Sequence, residues 1–344
     1  MQTVNIGELP QKARTRRFSK PLIFLTVLLQ LAAAGLIGIM LVYHGPFNAI
    51  RSYIVGTAME SKSHQFLATW FLSDSEIQKI IHSGGNVSSD SQVVAANANT
   101  SAYNSGIEID SINNDNYSGY MMVISNPLRV HVGHTKYLGT RGELTSEMAA
   151  RYNAVAAING GGFHDATGSA AYGGNGGLPT CFAISGGQVV YRDNGFTDTD
   201  KTQAIGIDTK GNLIVGDHSI KELQGMGVTE ALQFENDNYP TTLIVNGKAQ
   251  FNGTAGSGRT ARTAIGQRKS DNALLLLVLD GRTLTKTGAT LGDVRDIMLK
   301  YGANTAAELD GGGSTTMVSD NKVINTPCDN VGERLVATCF YVEK

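Results

Sequence analysis

One stretch near the C-terminus reads Ala306-Ala307-Glu308-Leu309-Asp310-Gly311-Gly312-Gly313-Ser314-Thr315-Thr316-Met317-Val318. Its apolar beginning predicts a core strand that carries Glu308 and Asp310 on one side, because they are two residues apart. The three glycines allow positive φ values and a close approach of the backbone to a ligand, and their N–H groups can form a concave anion site. The alternative interpretation of this stretch is a glycine-rich hairpin between two core strands that has no catalytic or binding role.

The same pattern recurs at other predicted strand ends. The apolar run from Asn153 to Ile158 is followed directly by Asn159, Gly160, Gly161 and Gly162. Further strand ends carry arginines or carboxylates: Arg262, Asp280 with Arg282, and Glu333 with Arg334. Arginine binds phosphate through two parallel hydrogen bonds, and carboxylates bind sugar hydroxyls or transfer protons. The combination indicates a ligand that is both anionic and hydroxylated, such as a sugar phosphate.

Several of these residues also have a purely structural interpretation. Arg262 suits an ion pair at a strand edge, and Glu308 suits pairing with an arginine at the edge of the core. The sequence Asp280-Gly281-Arg282 fits an ordinary turn.

The remaining pattern predicts an α+β fold, a sheet-rich mixed domain with a few packing helices. The run from Ala273 to Leu279 is apolar on both faces of a strand and predicts a central position in the sheet. Thr290, with Asp293 as the third helical residue, predicts a helix that ends at Gly302. Hairpins are predicted around Gly186-Gly187, Lys210-Gly211 and Asn246-Gly247, the last a type I′ turn signal.

The N-terminal region predicts a membrane anchor. Pro21 to Tyr43 contains no charged residue, and a helix of this length crosses the roughly 30 Å hydrocarbon layer. Basic residues precede it, so the positive-inside rule places the N-terminus in the cytoplasm and the body outside. A signal peptide cleaved near Ala32-Ala33-Ala34 is the competing interpretation. The predicted organisation is a cytoplasmic basic segment (1–20), a transmembrane signal anchor (21–43), a helical stalk and linker (51–104), and the main domain (105–344).

Composition narrows the possible functions. The chain has 344 residues, and 28 basic against 30 acidic residues give a net charge of -2. The chain as a whole therefore has no excess of positive charge that would favour nucleic acid as a partner. The three cysteines allow at most one internal disulfide, between Cys181 and Cys328, or three free thiols. No CxxC, HExxH or P-loop motif is present, so the sequence predicts neither a metal site nor a cofactor.

Taken in order, the motifs resemble those of the phosphodiester glycosidase family. The resemblance runs from about Ser105 to Lys344. It includes Ala157-Ile158-Asn159-Gly160-Gly161-Gly162-Phe163, Arg262-Thr263-Ala264-Ile265-Gly266, Asp280-Gly281-Arg282, Gly288-Ala289-Thr290-Leu291, Leu309-Asp310-Gly311-Gly312-Gly313-Ser314 and Glu333-Arg334.

The resemblance implies an α+β domain that hydrolyses a sugar 1-phosphodiester without an organic cofactor. The catalytic candidates are Asp310, which is preferred, Glu308, Glu333 and Asp280, and the sequence does not decide which is nucleophile and which is acid. The substrate-binding candidates are Asn159, Gly160, Gly161, Arg262, Arg282, Gly311, Gly312, Gly313, Ser314 and Arg334.

The expected function is that of a single-pass, membrane-anchored hydrolase whose extracytoplasmic domain cleaves a sugar 1-phosphodiester in a cell-surface glycan or exopolysaccharide. The alternative is a non-catalytic protein that binds sugar phosphates during surface polysaccharide assembly. A phosphodiesterase that cuts the P–O bond is a third candidate and would need metal ions. The expected partners are the glycan and the membrane. The sequence leaves the oligomeric state open.

Overall fold

The computed structural model describes residues 20–59, 64–82, 106–166, 175–234, 239–281, 283, 285–328 and 332–344. The chain divides into two compact units, Met1–Ile50 and Arg51–Lys344. The first unit contains helix α1 (Lys20–His44), which is long and apolar enough to cross a membrane by length and composition. The basic segment before Lys20 and the whole of the predicted linker lie outside the described residues.

Within the described ranges, six further helices and nineteen strands follow α1. The helices are α2 (Asn48–Met59), α3 (Phe66–Thr69), α4 (Asp74–His82), α5 (Thr145–Arg151), α6 (Ile220–Gly225) and α7 (Leu291–Lys300). The first ten strands are β1 (Ile107–Asn113), β2 (Ser118–Ile124), β3 (Val130–His134), β4 (Ala156–Asn159), β5 (Phe163–His164), β6 (Leu178–Pro179), β7 (Phe182–Ser185), β8 (Gln188–Arg192), β9 (Thr202–Asp208) and β10 (Leu213–His218). The remaining strands are β11 (Val228–Gln233), β12 (Thr242–Val245), β13 (Lys248–Ala249), β14 (Arg262–Arg268), β15 (Leu274–Leu279), β16 (Ala303–Leu309), β17 (Met317–Ser319), β18 (Lys322–Val323) and β19 (Thr338–Val342).

The strands form antiparallel sheets, which confirms the sheet-rich α+β prediction. A seven-stranded sheet has the order β1-β2-β15-β14-β16-β12-β13, and two five-stranded sheets have the orders β10-β9-β11-β7-β8 and β18-β17-β4-β19-β3. Strand β15 is interior and buried along its whole length, as its two apolar faces predicted. The main core is shared by all three sheets, with Leu276, Ile205 and Phe340 as one member from each.

The helices that precede the linker pack against the sheet-rich body, whereas the sequence suggested a stalk. Val55, Ile77 and Ile81 in α2 and α4 are buried. Within the second unit, the backbone of Gly258 lies so close to Thr57 that a Cβ on this glycine would clash with the backbone of α2. Apolar side chains at loosely helical spacing correctly indicated helices, but they serve a tertiary contact.

This contact predicts that Gly258→Ala destabilises the body. Because the new Cβ would overlap the backbone of Thr57, overpacking should cost about 1–3 kcal/mol, seen as a lower Tm in a thermal unfolding experiment. Gly225→Ala is the control, since nothing lies within 4 Å of its added Cβ. Equal Tm values for the two variants would show that α2 does not press on this segment.

A histidine joins two of the sheets. His131 in β3 donates through Nδ1 to Oε1 of Glu230 in β11 at 3.3 Å, and its Nε2 lies 3.5 Å from the Glu343 carboxylate. Glu230 is buried and also accepts from Val132 N at 2.8 Å. The hydrogen bond to Glu230 is the main cause that raises the pKa of His131, and the charges of both carboxylates add to it against the effect of burial.

This raised pKa gives stability a defined pH dependence. The protonated His131 is favoured in the folded state, so its contribution is complete below the unfolded-state pKa of about 6.5 and is lost as pH rises through the higher folded-state pKa. Urea midpoints of the wild type and His131→Gln should therefore differ most below the unfolded-state pKa of about 6.5 and converge as the pH rises through the folded-state pKa. A difference that grows with pH would contradict this assignment.

All three cysteines are free, so the suggested Cys181–Cys328 disulfide does not form. The Sγ of Cys181 lies 4.0 Å from Thr202 Oγ1 in the β9 region, whereas Cys328 packs against Gly281 after β15. Cys339 is fully buried, and burial raises the pKa of its thiol to about 12.

Candidate active site

The two glycine-rich loops meet where β4 and β16 end. The backbone N–H of Asp310 donates to Gly160 O at 3.1 Å, and Asn159 Nδ2 donates to Asp310 O at 2.6 Å. These strands belong to different sheets, so the junction joins the sheets and fixes the backbone of Asp310 from both sides. The residue itself is half-buried.

Asn159 is committed to this junction. It is fully buried, and its Oδ1 accepts from Thr263 Oγ1 at 2.9 Å and from Thr316 N at 3.1 Å. Together with the hydrogen bond from its Nδ2 to Asp310, the side-chain amide of Asn159 bonds to three residues of the protein. The residue predicted to bind substrate therefore holds Asp310 in position.

The segment Gly311–Gly313 forms a tight turn. Gly312 has φ +57°, starts a 3-10 turn that runs to Ser314, and donates its N–H to Ala261 O at 2.8 Å. A Cβ on Gly311 would lie 2.7 Å from Ala261 O, which explains the need for glycine. Among the described residues, the N–H groups of Gly311 and Gly313 donate to no acceptor. They are free to bind an anion.

Ser314 ends this turn, and Thr316 follows it two residues later. Both are buried, and their hydroxyl oxygens have no hydrogen-bond partner within the described part of the chain. Gly160 and Gly161 close the other side by packing against β19 and β11, where a Cβ would meet Thr338 or the carbonyl of Gln233. Their lack of side chains lets three strands approach one another.

Arg262 and Glu308 form a buried ion pair behind the turn. Arg262 Nη1 lies 2.7 Å from Glu308 Oε1, and the two side chains are 4% and 2% exposed. The guanidinium also donates to Gly258 O at 2.9 Å and to Ala289 O at 3.2 Å. Arg262 and Glu308 therefore form the buried ion pair that the purely structural interpretation of these residues predicts.

Asp280 lies beside the same turn and is linked to it through Asn325. Asp280 Oδ1 accepts from Thr326 N at 2.8 Å and from Asn325 Nδ2 at 3.2 Å, and Oδ2 accepts from Ser118 Oγ at 3.3 Å. Burial raises the pKa of the Asp280 carboxyl, and these hydrogen bonds oppose the shift. Asn325 Nδ2 also donates to Thr315 O at 3.2 Å.

Sequence reasoning missed Asn325 and Cys328, which complete this side of the site. The Cys328 thiol donates to Gly312 O at 3.1 Å, and its side chain packs on Gly281. Neither residue belongs to a recognisable motif, and only the tertiary contact reveals them. Arg282, the predicted phosphate ligand in this turn, lies outside the described residues.

Glu333 and Arg334 occupy a neighbouring region. Glu333 accepts from Ser146 Oγ at 2.5 Å and from Ser146 N at 3.0 Å. The Arg334 guanidinium carbon lies 4.9 Å from the centroid of the Phe163 ring. Since Phe163 follows the first glycine loop, Arg334 borders the site while Glu333 anchors its segment to α5.

In the part of the chain that the structure describes, no group of three or more His, Cys, Asp or Glu side chains could hold a metal ion.

Known proteins show related sequences and folds. The catalytic domain of zebrafish N-acetylglucosamine-1-phosphodiester alpha-N-acetylglucosaminidase, in a form auto-inhibited by its pro-peptide, superposes with a TM-score of 0.57 at 23% identity. The match covers 74% of this chain and 88% of that chain. A putative exported protein from Burkholderia pseudomallei matches with a TM-score of 0.46 at 16% identity over 66% of this chain and 74% of its own.

A curated relative matches over a shorter segment. The uncharacterized SPbeta prophage-derived protein YomE of Bacillus subtilis (strain 168) is 40% identical over 77 residues, which is 22% of this chain and 12% of that protein. A family model described as phosphodiester glycosidase matches residues 152–343. This match spans more than half of the chain and includes both glycine loops, Arg262, Asp280 and Glu333-Arg334. The chain belongs to the phosphodiester glycosidase family.

Proposed function

We propose that this protein hydrolyses a sugar 1-phosphodiester at the junction of the two glycine loops and releases the free sugar. The observation that carries the proposal is the placement of Asp310. Its backbone is held by Asn159 and Gly160, and the next residues present the free N–H groups of Gly311 and Gly313. A carboxylate next to neutral hydrogen-bond donors suits a reaction in which an anion departs.

In this proposal Asp310 acts at the anomeric carbon, either as nucleophile or as the base that activates water. The departing phosphodiester carries developing negative charge, and the N–H groups of Gly311 and Gly313 stabilise it by preorganised hydrogen bonds. A phosphate leaves more easily than a sugar alkoxide, so the demand for a strong general acid falls. The C–O bond breaks, water supplies the new hydroxyl group of the sugar, and the phosphate stays on the aglycone.

The other predicted carboxylates serve as positioning residues in this mechanism. Glu308 compensates the charge of Arg262 behind the turn. Asp280 holds Asn325 and Thr326, and Glu333 holds Ser146. Each of these three carboxylates accepts hydrogen bonds from protein donors.

The proposed setting is the outer side of a cell membrane. Helix α1 serves as an uncleaved signal anchor, with the basic N-terminal segment in the cytoplasm and Arg51–Lys344 outside. The substrate is then a cell-surface glycan or exopolysaccharide that contains sugar 1-phosphate links. The charge asymmetry around α1 supports this orientation.

The test uses the full chain in detergent and the methyl phosphodiester of N-acetylglucosamine 1-phosphate in ¹⁸O-labelled water. Free sugar carrying the label, together with unlabelled methyl phosphate, is the expected result, and activity should survive a strong chelator. Methanol and sugar phosphate would instead show P–O cleavage by a phosphodiesterase. Binding of the compound without any product would identify a sugar-phosphate-binding protein.

A further inference from the structure

Exposed apolar side chains of the second unit are concentrated in the two short helices that follow α1. Among its described residues, Tyr53, Phe66, Leu67 and Trp70 are exposed, and Trp70 is 75% accessible to solvent. In the described part of the chain beyond residue 106, the exposed large apolar side chains lie at 37–40% and are Ile109, Leu128, Val189 and Leu299. Scattered exposed side chains are ordinary, whereas a cluster of them marks an interaction surface.

Trp70 and Phe66 form an aromatic pair at α3. Their ring centroids lie 5.0 Å apart, and the ring planes are tilted by 54°. Ala68 and Leu72, in the same segment, are buried. One side of α3 is therefore packed inside the second unit, and the aromatic side faces solvent as a fixed surface.

Helix α2 has apolar side chains on two opposite faces. Val55 and Ala58 are buried, and Tyr53 lies roughly half a turn of helix away from both of them, on the exposed side. Arg51 is the one charged residue of this helix. A helix that is apolar on all sides is normally buried, so the exposed side of α2 indicates a partner that covers it.

The position of these helices in the chain indicates which partner this is. Helix α1 ends at His44 and α2 begins at Asn48, and the four peptide steps between them span at most about 14 Å. Gln65 Nε2 donates to Met59 O at 3.5 Å, so the start of α3 lies beside the end of α2. Since α2 is about 18 Å long, the chain allows both exposed surfaces to reach the headgroup layer of a bilayer that α1 crosses.

The side chains suit the headgroup layer better than the hydrocarbon centre. Trp and Tyr are enriched at membrane–water interfaces, where the ring contacts lipid and the N–H or O–H contacts water. Phe66 and Leu67 add apolar area beside them. A second copy of the chain could use the same surface, but the exposed apolar residues are concentrated next to α1, which favours lipid.

We propose that Tyr53 of α2 and Phe66, Leu67 and Trp70 of α3 form a membrane-docking surface, which rests on the phospholipid headgroups of the bilayer in which α1 is anchored. The body is then held against the membrane and does not swing freely from α1. The inference rests on the proposed anchoring by α1 and is independent of the reaction at Asp310.

Fluorescence tests this surface directly, because Trp70 is the only tryptophan of the chain. The full chain is reconstituted in phospholipid vesicles whose acyl chains carry bromine, a contact quencher, either near the headgroup or near the bilayer centre. Emission should fall in both brominated lipids relative to unbrominated vesicles, and it should fall more with the shallow bromine. The surface would face lipid whichever way α1 is inserted, so the result does not depend on orientation.

Variants at exposed positions separate docking from mere proximity to the bilayer. Phe66→Glu combined with Leu67→Glu keeps the probe, adds charges that resist transfer out of water, and should abolish the quenching. Ile109→Glu, on an exposed position of β1, is the matched control and should keep it. Moving the probe by Trp70→Phe with Val189→Trp should also abolish the quenching. Equal quenching at both probe positions would overturn a specific docking surface.

The docking surface and the anchor fail in different ways. If alkaline carbonate releases the chain from the vesicles, α1 is not an anchor, and the proposed setting and the docking surface are both wrong. If the chain stays in the vesicles but bromine does not quench Trp70, the docking surface alone is refuted, and the anchoring and the reaction stand. Emission that changes with the number of chains per vesicle, and not with bromine, would assign the surface to a second copy.

Discussion

Asp310→Asn is expected to reduce sugar release from the methyl phosphodiester by about a thousandfold or more, equivalent to roughly 4 kcal/mol of transition-state stabilisation. The amide has the same shape and keeps the backbone bonds to Asn159 and Gly160. It lacks the negative charge needed to attack the anomeric carbon or to accept a proton from water. The measurement is kcat under saturating substrate.

The control for this variant is Asp198→Asn, which removes an exposed carboxylate paired with Arg192. It should keep full activity. The Tm of both variants is measured as well, so that a loss of stability is separated from a loss of chemistry. If Asp310→Asn retained more than a tenth of the wild-type rate, a different carboxylate would have to perform the reaction.

Breaking the buried ion pair is expected to have the largest effect on stability. Glu308→Leu leaves the Arg262 charge buried without its carboxylate, which costs about 3–5 kcal/mol. At about 2–4 °C per kcal/mol for a domain of this size, the Tm should fall by roughly 10 °C. Combining it with Arg262→Met removes both charges and should restore most of the loss.

A surface pair provides the reference. Arg192→Ala removes one partner of the exposed Arg192–Asp198 pair and should cost less than about 1 kcal/mol.

The variant Glu308→Gln distinguishes a structural role of this carboxylate from a catalytic one. A lower Tm with residual activity supports the structural role, whereas an unchanged Tm with no activity would make Glu308 the catalytic carboxylate.

Local features of the fold were predictable because they depend on neighbouring residues. Asn246 and Gly247 take φ values of +50° and +73°, as a type I′ hairpin requires. The Thr290 hydroxyl accepts from the backbone N–H of Asp293, and the Asp293 carboxylate accepts from the backbone N–H of Thr290. Both signals lie within four residues of the structure that they determine, so no knowledge of distant contacts was needed.

The arrangement of the site depends on contacts that the sequence does not encode locally. Thr263 in β14 pairs with Leu309 in β16, and this register decides that Arg262 meets Glu308. Two residues apart in the sequence, Glu308 and Asp310 were expected to share one side. The strand ends at Leu309, so only Glu308 stays in the core. Asn325 joins the site after a turn that carries no motif.

The packing of α2 and α4 has a practical consequence for anyone who wants a soluble fragment. A fragment that begins after His82, at the point where composition suggests a linker, would lack the segments that contact Gly256 and Gly258. The apolar surface that α2 and α4 cover would then be exposed to solvent. A cut between α1 and α2, within Gly45–Phe47, retains α2 and α4 and removes the basic N-terminal segment together with the apolar span. The fragment suited to crystallisation and enzyme assays therefore starts at Asn48.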